Sequence, residues 1–89
     1  MSRASDHMAR VRSIGCLICR DHLGVKDSPA SAHHILDTSA RSDWLTVPLC
    51  PAHHQGPQGF HGLGQRAFER TYKTTEAELL AKTIEALHG

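Results

Sequence analysis

Apolar and polar residues alternate in two rhythms along this chain. In "SDHMARVRSI", Met8, Val11 and Ile14 recur every third position, which predicts a short helix with those side chains inward. Ser5 or Asp6 can cap it, and Gly15 ends it. The stretch "DHLGVKDSPAS" is turn-rich and exposed. "SAHHIL" and "WLTVPL" are short enough to be the two strands of a hairpin, joined by the loop "DTSARSD". Pro48 lacks an N–H and belongs at an edge or at a strand's end. The helical rhythm then returns. A helix over about 63–72 brings Phe68 and Tyr72 together at i, i+4 spacing. A second opens at "TTEAE", where Thr75 caps and Glu78 reaches back, with Ala77, Leu80, Ile84 and Leu87 as its apolar stripe. Between hairpin and helices, "CPAHHQGPQGFH" holds too much glycine and proline for one continuous helix. The expected class is α+β, with a cysteine knuckle, a short hairpin and flanking helices, and more helix than strand. Residues 1–89 form a single domain, with about 1–5 disordered.

A chain of 89 residues buries a modest core, and its only large aromatics are Trp44, Phe60, Phe68 and Tyr72. Such a domain usually requires a staple. Three cysteines are an odd number, so a disulfide framework would leave one thiol over. No apolar run reaches membrane-spanning length and no signal-peptide core precedes the first cysteine, so a reducing cytoplasm is expected, where cysteines more often hold metal than each other. The formal charge of +1 does not announce a nucleic-acid partner. Three zinc-bound thiolates and two divalent ions would change it only to about +2.

"CLIC" gives Cys16-x-x-Cys19, and "CPAH" gives Cys50-x-x-His53. Two such pairs, about thirty residues apart, suit a tetrahedral structural zinc, because the x-x spacing lets both ligands of one tight turn face the same ion. The plainer alternative, three small buried thiols, leaves the paired spacing unexplained. Spacing alone does not separate His53 from its neighbour His54. In "AHHIL", adjacent strand residues point to opposite faces, so His33 and His34 serve one ion together only with difficulty. One can bind metal while the other acts as a base near neutral pH. With His53 on the zinc, His54 and His61 remain, and with His33 they make three imidazoles around a site with open positions.

"CLIC…AHHIL…VPLCPAHH" resembles the HNH endonucleases of the ββα-metal fold, and in particular small phage and prophage nucleases similar to the RecA-dependent recombination enhancement nuclease. The tail "FHGLGQRAFERTYKTTEAELLAKTIEAL" is similar as well, so the resemblance runs from about His7 to Leu87. It implies a metal-dependent DNA endonuclease in the cytoplasm of a bacterial host. His34 would be its general base, and His33, His54 and His61 its ligands for a catalytic ion (Mg²⁺, Mn²⁺, Zn²⁺ or Ni²⁺). Cys16, Cys19, Cys50 and His53 would fall on structural-zinc positions. The family's middle asparagine is missing, since the chain contains no asparagine, and Asp43 is the nearest polar candidate to orient the base. Arg41, Arg66, Arg70 and Lys73 are candidates for DNA phosphates. A RecA-type recombinase partner is implied by the resemblance alone. A monomer would nick, and a homodimer could cut both strands. The competing readings are a non-catalytic zinc-knuckle module that binds nucleic acid or protein, and a hydrolase of small phosphate esters. A second, weaker divalent site separates the nuclease from the module.

Overall fold

The computed structural model describes residues 3–36 and 41–88. Its elements are α1 (Arg3–Ser13), a short π-helical turn (Cys19–Leu23), β1 (Ser31–His34), β2 (Thr46–Leu49), α2 (Pro51–His54), α3 (Phe60–Leu63), α4 (Gln65–Tyr72) and α5 (Glu76–His88). This is the α+β order expected, one antiparallel hairpin set among helices. α1 begins at Arg3, so residues 3–5 are helical. The helix packs against β2, β1 and α5, with Val11 fully buried and Arg10 Nη2 donating to the Leu87 carbonyl at 3.2 Å. Met1 and Ser2 lie outside the described residues, as do Asp37–Ala40 of the expected hairpin loop.

The hairpin pairs Ser31 with Leu49, Ala32 with Pro48, His33 with Val47 and His34 with Thr46. In a two-stranded sheet each strand is an edge, so Pro48 can sit within β2 without breaking a ladder between two neighbours. The core gathers Leu17, Ile18, Val47, Leu49, Phe60, Phe68 and Leu79 with the three cysteines. Phe68 stacks on Phe60 at 5.1 Å and on Tyr72 at 4.9 Å between ring centroids, the second being the i, i+4 pair expected of α4. At fully buried side chains worth roughly 2 kcal/mol each, so few anchors leave little margin for a domain with no further crosslink.

The face of α5 differs from the expected stripe. Leu80 and Leu87 are half-buried, but Ile84 is 48% exposed and Ala77 is exposed, while Glu76, Leu79 and Thr83 are the buried residues. The helix has turned to carry a carboxylate inward. Thr75 does cap it, receiving the Glu78 N–H at 3.1 Å. Thr83 satisfies its own hydroxyl on the Leu79 carbonyl at 2.7 Å, so its burial leaves no polar atom unpaired.

Candidate metal centres

Cys16, Cys19, Cys50 and His53 each bring a ligand atom within 4.8 Å of the others. Cys50 stands at the N-terminus of α2, Pro51 occupies the first turn, and His53 follows one turn later. Cys19 Sγ lies 3.6 Å from Cys50 Sγ. His53 Nδ1 lies 3.7, 3.5 and 3.2 Å from the sulfurs of Cys16, Cys19 and Cys50. A tetrahedron with Zn–S of about 2.3 Å and Zn–N of about 2.0 Å has edges of roughly 3.5–3.8 Å between ligand atoms. The four atoms therefore stand at zinc-like separations, while the two sulfurs are far beyond a disulfide bond of about 2.05 Å. All three thiols are free and buried. Burial pushes the Cys16 thiol up to about 12, so ionising it requires a nearby cation, which a bound zinc supplies. Burial, and then the neighbouring His22, lower the pKa of His53, which favours the neutral form a ligand requires.

His54 follows His53 directly. In a helix consecutive side chains are about 100° apart, so the two rings leave α2 in different directions. His54 points to the hairpin, where Nδ1 meets Ser31 Oγ at 2.9 Å. The hydroxyl proton of Ser31 goes to the Leu49 carbonyl at 3.2 Å, so Oγ accepts from His54 Nδ1–H and the lone pair of His54 is on Nε2. That Nε2 faces His61 Nε2 at 3.1 Å. His33 completes a trio whose ligand atoms also lie within 4.8 Å of one another, with its ring centroid 5.0 Å from that of His54 and 5.5 Å from that of His61. Burial, then the adjacent imidazoles, push both His33 and His54 down to about 4, so both are neutral near pH 7. The trio has the donor set of a divalent-ion site, with no further protein ligand grouped with it among the described residues.

Tight backbone contact returns His61 to this place. A Cβ on Gly59 would lie 2.7 Å from the Ala52 carbonyl oxygen, and one on Gly62 would lie 2.8 Å from Pro57 Cα. Glycine lets residues 55–62 fold back against α2, which sets α3 and its His61 beside His54.

The other face of β1 carries His34. Its Nε2 lies 2.8 Å from Asp43 Oδ1, and its Nδ1 lies 3.4 Å from Arg41 Nη2. A carboxylate only accepts and a guanidinium only donates, so both contacts select one tautomer, with the proton on Nε2 and the lone pair on Nδ1. Ala32, His33, His34, Leu36, Arg41, His54, Gln55 and His61 border one cavity of about 360 Å³. Of the four candidate phosphate-binding cations, Arg41 reaches this cavity; Arg66 and Arg70 are exposed on α4, and Lys73 is exposed at its C-terminal end. A larger and more open depression of about 470 Å³ lies between the knuckle and α5. The Lys82–Asp21 ion pair is among its lining residues, and among the described residues it gathers no comparable set of ligands.

Two residues of the site escaped the sequence reading. Ser31 shares a strand face with His33, two positions on, and that period-2 relation was the available signal. Glu76 had none: an acidic residue in a helix's first turn is ordinary. Here it is fully buried, with Oε2 2.8 Å from His33 Nε2.

The sequence profile of a family described as recombination enhancement, RecA-dependent nuclease matches residues 2–88. No curated protein and no solved structure matches significantly. No helix among the described residues is long and apolar enough to cross a membrane. With nearly the whole length matched, the chain belongs to the RecA-dependent nuclease family.

Proposed function

We propose that this member of the RecA-dependent nuclease family is an HNH-type DNA endonuclease, with His34 as general base and one divalent ion held by His33, His54 and His61. One observation carries the reading. β1 turns His33 into an imidazole trio and His34 toward Asp43, and both rings border the same cavity.

The chemistry follows from the protonation pattern. The Nδ1 lone pair of His34 takes a proton from a water in the cavity. Asp43 holds Nε2–H and stabilises the imidazolium that forms, the orienting role for which the chain has no asparagine. Arg41, beside that Nδ1, holds a non-bridging phosphate oxygen, so that the phosphorus presents to the water the face opposite the leaving 3′ oxygen. The new oxygen–phosphorus bond forms as the bond to the 3′ oxygen breaks, and that oxygen takes a proton from solvent. The products are a 5′-phosphate and a 3′-hydroxyl. A divalent ion (Mg²⁺, Mn²⁺, Zn²⁺ or Ni²⁺) supplies stabilisation of charge on the phosphate and the leaving oxygen. Arg66, Arg70 and Lys73 bind flanking phosphates, and a structural zinc on Cys16, Cys19, Cys50 and His53 holds the scaffold. The family description supports a RecA-type recombinase as the partner under which cleavage occurs.

The test is relaxation of supercoiled plasmid across these metals, with and without a recombinase filament, beside His34→Ala. The variant is expected to lose about 10²–10⁴-fold in rate while retaining its metal content. Cleavage at the wild-type rate would remove His34 from the mechanism.

A further inference from the structure

His54 is held by Ser31, and His34 by Asp43, through the ring nitrogen that faces away from the proposed chemistry. His33 has a stronger anchor. Glu76 Oε2 lies 2.8 Å from His33 Nε2, with the two side chains 0% and 1% exposed. The same carboxylate receives the Leu36 N–H at 2.8 and 2.9 Å from its two oxygens, and Gln65 Nε2 approaches Oε1 at 3.5 Å. Leu36 and Gln65 both donate, so the carboxylate sits in an environment built for an acceptor. The Glu76 backbone is tied in turn, its N–H donating to Glu69 Oε2 at 3.0 Å.

Glu76 is not one of the groups that close to within 4.8 Å around the trio. It contacts a member of that trio, His33, and comes from a different element, the first turn of α5. A carboxylate accepts only, so the proton on His33 belongs on Nε2 and the lone pair on Nδ1. We propose that Glu76 is the positioning residue of the catalytic metal site: it fixes the tautomer and orientation of His33 so that Nδ1 faces the ion, and its negative charge makes that nitrogen a better donor. The proposal rests on the assignment of the imidazole trio to a divalent ion. It also explains why α5 turns a carboxylate inward while Ile84 stays 48% exposed. The C-terminal helix then serves the site as well as the core.

The test uses full-length protein carrying its structural zinc. Two-bond ¹H–¹⁵N spectra of the histidine rings, recorded before any further metal is added, read the tautomer. Ni²⁺ titration by calorimetry then reads the second site. The expected results are His33 protonated on Nε2 in the wild type, and Ni²⁺ affinity about 10–100-fold weaker in Glu76→Gln, with His33 no longer confined to one tautomer. Glu76→Asp restores part of the affinity. Wild-type His33 protonated on Nδ1 overturns the proposal, and that measurement stands even if Glu76→Gln fails to fold. Ni²⁺ binding by a folded Glu76→Gln as tight as in the wild type overturns it too, leaving the trio itself intact. Failure of the wild type to bind any second ion would instead defeat the metal-site reading on which the proposal rests.

Discussion

Cys50 and His53 face the CLIC turn from α2, while His54, the very next residue, leaves the same helix for an open cavity with His61 and His33. In the first group three buried thiols and an imidazole supply all four corners of a tetrahedron. The second supplies three imidazoles, and His61 among them is exposed. The contrast is one of closure. A site with every position filled by protein returns its binding energy as folding energy, whereas one with positions free keeps them for water and substrate. One turn of helix joins the two, so the element that presents Cys50 and His53 to the CLIC turn also aims His54 at the second group.

That contrast breaks most visibly at the closed site. Cys50→Ser is expected to abolish cooperative folding, or to lower Tm by more than about 15 °C, since structural zinc binding is worth on the order of 10 kcal/mol in small domains. Thermal melts with zinc content measured in parallel check it, and a variant as stable as the wild type with its zinc intact would deny the site its structural role. A smaller effect, confined to activity, is expected beside the open site. Asp43→Ala should slow nicking about 10–100-fold with Tm nearly unchanged, and Asp43→Asn should lose less because its side-chain oxygen still accepts from Nε2–H.

The smallest effect is on stability against pH. Folded His33 and His54 have pKa values pushed down to about 4 from 6.5. Below 6.5 the unfolded chain takes up protons that the folded rings refuse, so their contribution is complete above about pH 6.5 and is lost as pH falls toward 4. Protein free of the second ion should therefore melt progressively lower from pH 6.5 to 5. Melting temperatures that stay level over that range, with the structural zinc retained, would mean that the two rings are not buried as described.

Much of the fold could be read along the chain because its signals were local. The hairpin's two strands, the broken stretch between Cys50 and His61, the Thr75 cap and the Phe68–Tyr72 pair each depend on residues a few positions apart. The cysteine and histidine spacings were informative for the same reason: each x-x pair is one turn. The face of α5 was not legible. A stripe drawn from hydrophobicity selects Ile84 and passes over Glu76 and Thr83, yet both polar residues are buried because their hydrogen bonds are satisfied inside. Glu76 lies 43 residues from His33, and no periodicity connects them. Asp43 stood as a candidate only because the usual asparagine was missing, and its 2.8 Å contact with His34 appears once the hairpin closes. Arg66, Arg70 and Lys73 are exposed on one short helix and its end, the accessibility that the proposed contacts with flanking phosphates require.

The central claim is that two adjacent histidines serve different metals, and paired substitutions test it most directly. Zinc per chain, Tm and Ni²⁺ affinity would be measured for His53→Ala and His54→Ala. The account predicts that His53→Ala loses the tightly held zinc and much of its stability. His54→Ala should keep one zinc per chain and its Tm while losing Ni²⁺ binding and plasmid nicking. Two variants that lose the same metal, or a His54→Ala that still binds Ni²⁺ as the wild type does, would contradict it.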